Sequence, residues 1–415
     1  MKINKSVLII LITIVIACNK SEQSELNDLS NIETLAIPGD QQLDVFKKTS
    51  DNELFLAFNT LRNARVLLLS YNFKIIKDLS ENFGENTIVK DIFKASNKHY
   101  YFTTYHKFKT DFDSCQLWHF DENLRFVNKI TVKYIHPNNS VYRYNYQRIG
   151  SIIEIKNGEL TVIGLVHTTH AFTRLYCPTI YKCDLNLNFI ENGNKQVLEW
   201  SYPQSAATKG ILKSNGNINL CGSTVSEDDL KVNEPTTRIV LNNIFSNGEI
   251  KFGNNQSRYG KEGNFEVGYD IADFDDETSV GLAKTTGNAI QGKSDIWLFL
   301  INKDADTIKS KVLVLPDEDI PNSVCAMGDG NFLIAGITKS IVSDKFVTFV
   351  LKIDKDFNLK WIKHYGGDAA GGKPVIIKTG YNKYSLAFGT RLFGNGLNEL
   401  DICLINIDES GNIIN

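Results

Sequence analysis

Two histidines, His167 and His170, are separated only by two threonines. Imidazole nitrogens are common metal ligands, but a protein metal site needs three or four converging ligands. No acidic or thiol side chain lies immediately beside this pair. We therefore expect two solvated or hydrogen-bonding histidines on a loop between strands, and the sequence predicts neither a metal site nor a cofactor.

The segment from His136 to Arg148 is the strongest candidate for a binding surface. Tyrosine and arginine offer rigid contact area and directed hydrogen bonds, and long connections in compact folds are often functional. Alternation along a strand would place the tyrosines on one face. An ordinary strand that packs its aromatic side chains internally is an open alternative. The candidate binding residues are Tyr142, Arg143, Tyr144, Tyr146 and Arg148, extended by His167, His170, Phe172, Arg174 and Tyr176.

An acidic cluster at Asp273, Asp275, Asp276 and Glu277 lacks the glycine and the terminal glutamate of a calcium-binding loop. We expect it to form a solvated hairpin tip. The sequence also contains no Gly-x-Ser-x-Gly elbow for a nucleophilic serine. No catalytic residue is therefore assigned.

The chain has 415 residues, with 45 basic and 48 acidic side chains and a formal net charge of −3. This is an ordinary globular composition, which excludes wholesale disorder and collagen-like or coiled-coil structure. Proteins that bind nucleic acids usually carry a concentrated basic surface, so the overall charge gives no support for a nucleic-acid partner. We expect a monomeric domain.

The N-terminus has the three parts of a secretory signal. Lys2 and Lys5 precede the apolar run from Val7 to Ala17, which is too short to span a bilayer as a helix. The last four residues before the polar region, from Val15 to Cys18, resemble the lipobox of bacterial lipoproteins. That resemblance implies cleavage before Cys18, acylation of that cysteine, and stable membrane association.

The lipobox resemblance also divides the chain. Residues 1–17 would be the signal peptide, residues 18–31 a lipidated tether, and residues 32–415 the folded domain. The acidic tether is similar to the surface-export signals of Bacteroidota lipoproteins, which implies an outer-membrane lipoprotein on the periplasmic or cell-surface face. The six later cysteines are too sparse for a disulfide-stapled fold, so we expect buried free thiols.

A weak internal repeat runs through the rest of the chain. A nine-residue window opens with turn residues and continues into an apolar or β-rich run, which is typical of a turn that leads into a buried strand. It recurs seven times, starting at Asn52, Asn97, Gly158, Gly216, Glu277, Gly330 and Asn382. A polar residue before a turn follows each window after 18 to 27 residues: Ser70, Asp121, Asp184, Asn243, Asn302, Asp354 and Asp408.

With the strand-like runs before each window and after each polar residue, every unit has four short strands. Four strands at this period predict a propeller blade. We therefore expect an all-β fold, a seven-bladed β-propeller whose last blade is completed by residues 32–40. That closure would remove the exposed edge of an open sheet.

The units resemble the degenerate propeller repeats of secreted and lipid-anchored Bacteroidota proteins, distantly like kelch and quinoprotein blades. The four tryptophans fall at different places in their units, so the resemblance does not extend to the quinone cofactor of quinoproteins.

The sequence favours a non-enzymatic binding or scaffold module for a protein or glycan partner at a membrane surface. The alternative is a carbohydrate-active hydrolase or lyase whose carboxylates come from several blades and converge only in space. A structural envelope protein is the third possibility.

Overall fold

The computed structural model describes residues 33–35, 41–50, 53–60, 63–106, 114–132, 143–156, 158–170, 173–190, 195–196, 204–225, 237–244, 250–251, 258–259, 266–286, 294–339, 345–366, 372–391 and 400–414. Almost all the regular structure in these ranges is β-strand, apart from a short 3-10 turn at Ser80–Asn82. No helix among them is long and apolar enough to cross a membrane. The all-β prediction is confirmed.

Each unit begins with an innermost strand and continues through a second, a third and a short outer strand. The innermost strands are β2 (Gln41–Ser50), β6 (Thr87–Lys94), β10 (Arg143–Lys156), β14 (Gln204–Leu212), β19 (Glu266–Asp273), β23 (Glu318–Ala326) and β27 (Val375–Gly380). The second strands are β3 (Glu53–Thr60), β7 (Tyr100–His106), β11 (Glu159–His170), β15 (Ile218–Val225), β20 (Thr278–Thr285), β24 (Phe332–Lys339) and β28 (Lys383–Thr390).

The third strands are β4 (Asn63–Leu69), β8 (Ser114–Phe120), β12 (Thr173–Asp184), β16 (Thr237–Ile244), β21 (Asp295–Asn302), β25 (Phe346–Ile353) and β29 (Asp401–Asp408). The outer strands are β5 (Ile75–Asp78), β9 (Phe126–Val132), β13 (Lys195–Gln196), β17 (Ile250–Lys251), β18 (Arg258–Tyr259), β22 (Thr307–Leu313), β26 (Leu359–Tyr365) and β30 (Ile413–Ile414). Strand β1 (Glu33–Leu35) precedes the first unit. Every one of the seven sequence windows forms a second strand.

Six of the seven polar residues at the ends of the third strands form the turn that the sequence predicts. The residues that follow Asn243 and Ile244 lie outside the described ranges. Asp354 accepts the main-chain N–H groups of Asp356 and Asn358 at 2.9 and 2.8 Å. Phe357, three residues after it, has a φ of 61° and a fully buried side chain. The left-handed residue lets the chain reverse while its side chain fills the space between sheets. The same turn follows Ser70, Asp121, Asp184, Asn302 and Asp408.

The described strands pair into six sheets, so the prediction of a seven-bladed propeller is wrong. Strands from the third and fourth units belong to one nine-stranded sheet. The reason is a single parallel pair, Tyr176 of β12 with Gln204 of β14, which joins two otherwise antiparallel groups. Four of the other five sheets have four strands and the last has five.

The predicted completion of the last sheet by residues 32–40 is also corrected. Within the described residues, strand β1 covers Glu33–Leu35 and pairs with β29, while the C-terminal strand β30 pairs with another part of β29. The outer edge of the last sheet is thus shared by two very short strands, and neither of them is a full-length fourth strand in the described residues.

The sheets pack around a closed circle. Each innermost strand lies beside the innermost strand of the next unit, and β27 lies beside β2. The first and last sheets share a core in which Leu43 and Phe46 pack with Ala387 and Leu404. The main-chain N–H of Gln41 also donates to the carbonyl oxygen of Leu400 at 2.9 Å. The fold is an all-β propeller with predominantly four-stranded blades.

Candidate functional site

Six of the seven innermost strands have a β-bulge within the strand, whereas the register shift of β27 lies beside its hairpin, between Lys378 and Gly380. These bulges position charged groups along the inner edges of the sheets. In β6 the bulge lies between Val89 and Asp91, and in β19 it lies between Gly268 and Asp270. A bulge places one extra residue against its partner strand and redirects the side chains around it. Asp91 and Asp270 therefore occupy equivalent positions immediately after a bulge.

The carboxylate of Asp91 connects two units. One oxygen accepts the N–H of Ile92 on its own strand at 2.8 Å, and the other accepts the N–H of Ile152 on β10 at 3.0 Å. The ammonium group of Lys47 on β2 lies 2.7 Å from the first oxygen. This carboxylate satisfies main-chain donors on the channel edges of two sheets, which pairing within a sheet leaves free.

Asp270 repeats the arrangement on the other side of the channel. Its two oxygens accept the N–H groups of Ile271 and Val324 at 2.9 and 2.8 Å, and the ammonium of Lys209 lies 2.5 Å away. The pKa of Lys209 is raised because Asp270, and then Asp91, favour its charged form more than burial disfavours it.

A third carboxylate in this region is less well compensated. Asp44 on β2 lies 3.6 Å from the ammonium of Lys90 and accepts a hydrogen bond from the side chain of Asn59. Burial raises its pKa to about 6, although Lys90 and Lys373 oppose the shift.

Two carboxyl groups without a compensating cation meet at the boundary between the fifth and sixth units. Asp319 and Asp295 are 1% and 2% exposed, and each has one oxygen without a hydrogen-bond partner among the described residues. Burial raises the pKa of Asp319 to about 7, and Asp317, Asp295 and Glu318 add to the shift while a hydrogen bond with Thr338 opposes it. Burial also raises the pKa of Asp295.

The third unit differs from the others in the length of its strands. β10, β11 and β12 have 14, 12 and 12 residues, whereas the first three strands of the other units have 6 to 10 residues. The bulges lie opposite Thr103 of β7 and Ile163 of β11. β7 continues for three residues beyond Thr103, to His106, whereas β11 continues for seven residues beyond Ile163, to His170.

In the four other units that have this bulge, the described part of the second strand continues for no more than four residues past this point. At about 3.3 Å per residue, the third unit therefore extends about 10 to 13 Å farther. We call this extension the projecting hairpin, and it comprises residues 143–148, 165–170 and 173–178.

Cross-strand pairing brings several of the predicted binding residues together on the projecting hairpin. Residues that face each other in an antiparallel pair share a face of the sheet, as do residues two apart on one strand. Leu165, His167 and Thr169 alternate along β11 and therefore lie on one face. His167 pairs with Tyr146 of β10 and Tyr176 of β12, and Thr169 pairs with Arg143 of β10 and Arg174 of β12. Arg148 pairs with Leu165 and lies on the same face.

Two predicted residues fall on the other face. A register shift between Tyr144 and Tyr146 places these tyrosines on opposite faces, so the prediction that they share one is wrong. The cause is the bulge at position 145, which simple alternation does not anticipate. His170 follows Thr169 directly and also lies on the second face. Tyr142 and Phe172 lie outside the described residues.

The histidine pair lies on a strand and not on the predicted loop, since His167 and His170 both belong to β11. No group of three or more His, Cys, Asp or Glu suited to a metal ion occurs among the residues that the structure describes. The acidic cluster forms the predicted hairpin between β19 and β20, where Asp275 accepts the N–H groups of Glu277 and Thr278 at 2.9 and 2.7 Å.

Sequence reasoning missed the carboxylates of the channel. One signal was present, because both Asp91 and Asp270 precede an isoleucine in an innermost strand. That dipeptide occurs in only some units, and the partners Ile152 and Val324 lie 61 and 54 residues away. The contacts could be recognised only once the innermost strands were placed side by side.

Comparisons with known proteins give the fold and no family. No family model and no curated protein matches the sequence. A protein of unknown function from Dyadobacter fermentans DSM 18053 aligns at 7% identity and a TM-score of 0.50, over 91% of this chain and 99% of that one. A puromycin hydrolase aligns at 9% identity and a TM-score of 0.53, over 91% of this chain but only 53% of its own.

The β-propeller domain of the Trilobed protease from Pyrococcus furiosus aligns at 11% identity and a TM-score of 0.46, over 90% of this chain and 97% of that domain. The chain thus spans nearly all of two of these structures and about half of the hydrolase. At such low identities the first two similarities support the propeller fold alone.

Proposed function

We propose that this protein is a non-enzymatic binding module in which a rigid propeller presents the projecting hairpin to a protein or glycan partner. The observation that carries the proposal is the unequal length of the third unit, whose extension places Arg143, Tyr146, Arg148 and Arg174 on one face. Tyrosine and arginine are the residue types that most often dominate binding energy at interfaces.

Contacts between neighbouring units make the rest of the ring a rigid support for the projecting hairpin. Outer-strand side chains reach the turns of the next unit: Lys77 donates to the carbonyl oxygen of Asn123 at 2.6 Å, and Lys309 to that of Lys355 at 2.6 Å. Tyr101 donates to the carbonyl oxygen of Leu185 at 2.7 Å. Repeated ties between neighbours reduce the motion of one sheet against the next, which lowers the entropy lost on binding.

The hydrolase alternative needs two carboxyl groups that a substrate can reach. Asp295 and Asp319 have the raised pKa values expected of acid catalysts, but both are almost completely buried. Asp91 and Asp270 are occupied by main-chain donors and lysines. The described carboxylates therefore support a structural use more than a catalytic one.

The test is selection of ligands followed by removal of the hairpin. The domain from residue 32 onwards would be screened against peptide and glycan libraries, and selected ligands would be measured against a shortened variant. In this variant Asn-Gly replaces residues 165–178, because Gly164 and Thr179 are already paired and a two-residue turn can join them. We expect the shortened variant to lose binding while keeping its β-sheet circular dichroism spectrum. Ligands that bind both forms equally would contradict the proposal.

Anchoring of this ring to the outer membrane through an acylated Cys18 is part of the proposal, and its support is the signal-like sequence alone. Residues 1–32 lie outside the described residues. The test is membrane fractionation with labelled palmitate, in which Cys18→Ser should release the protein and abolish labelling. Unchanged membrane association of that variant would count against the anchor.

A further inference from the structure

We infer that the partner of the projecting hairpin is an acidic polypeptide segment that binds in extended conformation along strand β10. This inference rests on the proposed function and adds the charge and the conformation of the partner. It is based on the distribution of charge along the chain, on the register of β10 to β12, and on the free edge of β10.

Charge is strongly segregated in the third unit. The full chain has a small excess of acidic residues, but the stretch from Asn123 to Ile153 contains five Lys or Arg and no Asp or Glu. The stretch from Leu160 to Cys183 contains Arg174 and Lys182 and again no acidic residue. Every strand of the projecting hairpin therefore lies in an acid-free part of an acidic protein.

The register concentrates this charge further. Arg143, Arg148 and Arg174 all lie on the face that carries His167, and no acidic residue occupies either face of the projecting hairpin. The guanidinium group binds carboxylates through two parallel hydrogen bonds, so a row of arginines selects carboxylate ligands more strongly than neutral ones.

The free edge of β10 favours a polypeptide over an acidic glycan. β10 is the terminal strand of its sheet, and no described strand pairs with its second edge. Near the bulge this edge is engaged, because the N–H of Ile152 donates to Asp91. The part from Arg143 to Arg148 lies beyond that contact. An unpaired strand edge offers alternating N–H and C=O groups, which an extended peptide can match and a glycan cannot.

Pairing along this edge predicts the pattern of the ligand. Residues of an added strand alternate between faces, so acidic residues at every second position would all lie on the face of Arg143 and Arg148, the arginines of the adjacent strand. The expected ligand is therefore a segment of about six residues in which Asp or Glu alternates with β-forming residues.

The experiment uses a fluorescein-labelled peptide of six Glu-Thr repeats and the domain from residue 32 onwards. Fluorescence anisotropy would give its dissociation constant, and six Lys-Thr repeats and an oligogalacturonate of equal charge serve as comparison ligands. We expect the Glu-Thr peptide to bind at least tenfold more tightly than either. Equal or tighter binding of the oligogalacturonate, or no binding of the Glu-Thr peptide, would overturn the inference.

Charge-reversal variants locate the site. Arg143→Glu and Arg148→Glu, on the strand that the peptide would pair with, should each weaken peptide binding at least tenfold. Arg174→Glu, two strands away on β12, should weaken it less, and Lys74→Glu, an exposed change in the turn between β4 and β5, should change it less than twofold. Equal loss in all four variants would mean non-specific attraction and would overturn the inference. If library ligands need the hairpin but are not acidic, the proposed function survives and this inference fails.

Discussion

The carboxylate of Asp91 accepts the main-chain N–H of Ile152 across the boundary between the second and third units, at 3.0 Å. Asp270 and Val324 form the same contact between the fifth and sixth units at 2.8 Å. Each carboxylate also neutralises a lysine from a further unit. The inner wall of the propeller is thus held by charge-assisted hydrogen bonds between neighbouring strands as well as by the apolar cores between its sheets.

Replacing Asp91 tests this inner wall. Asp91→Ala should lower the free energy of unfolding by about 2 to 4 kcal/mol, because it leaves two main-chain donors and Lys47 without their acceptor. Urea unfolding followed by tryptophan fluorescence measures the change. The matched control is Asp276→Ala, an exposed carboxylate in the turn between β19 and β20, for which we expect less than about 0.5 kcal/mol. Equal effects of the two changes would refute the role given to Asp91.

The buried carboxyl pair predicts a pH dependence with a definite sign. The pKa of Asp319 is about 7 in the fold and 3.8 ordinarily, so the folded chain keeps a proton that the unfolded chain loses. The contribution of Asp319 to the free energy of unfolding therefore becomes less favourable as the pH rises from about 4 to about 7, and it is constant above pH 7.

Asp319→Asn should remove this penalty. Relative to the wild type, the variant should gain stability with rising pH across that range, by up to about 4 kcal/mol for a shift of this size. Thermal unfolding at several pH values between 4 and 8 measures the difference. A difference that stays constant with pH would show that Asp319 does not hold the proton.

The turn at Asp354 is expected to contribute to the stability of the fold. Asp354→Ala removes the acceptor of two main-chain N–H groups and should cost about 1 to 2 kcal/mol in urea unfolding. A hydrogen bond with Lys360 contributes most to lowering the pKa of Asp354 in the folded chain. The stabilisation by this carboxylate is therefore lost only as the pH falls below 3.8, the ordinary pKa of an aspartate. Asp356→Ala changes an exposed carboxylate in the same turn and serves as control. Similar costs for both would contradict the turn argument.

The thiols should be inert in the folded state. Burial raises the pKa of Cys183, Cys221, Cys325 and Cys403 to about 12, and Cys115 is also buried. The domain from residue 32 onwards with Cys177→Ser has five thiols. In the folded state at pH 8 it should therefore release almost no chromophore from Ellman's reagent, whereas after unfolding in guanidinium chloride it should release five equivalents. Rapid reaction of the native protein would mean that at least one of these thiols is accessible.

The parts of the fold that could be predicted are those determined by local sequence. The turn at Asp354 depends on groups within four residues of that side chain, so polar residues after apolar runs identified it and its equivalents. The second strands could be found for the same reason, since each begins at a turn. Their regular recurrence was sufficient to predict an all-β propeller.

The features that could not be predicted depend on pairs that are distant in sequence or on single bulges. One parallel pair between Tyr176 and Gln204 merges two units into one sheet. The bulge before Tyr146 reverses the face of Tyr144, which changes the composition of the candidate site. The Asp-Ile dipeptide at Asp91 was not enough to predict its function, because the acceptor role of Asp91 depends on Ile152 in the next unit.

Hydrogen-deuterium exchange of the wild-type domain locates the surface at which a partner binds. The domain from residue 32 onwards would be labelled with and without a saturating ligand selected from the peptide and glycan libraries. We expect slower exchange confined to fragments that cover residues 143–148 and the adjoining parts of β11 and β12, with the other units unchanged. Protection centred on another unit, or no protection at saturation, would mean that the projecting hairpin is not the binding surface.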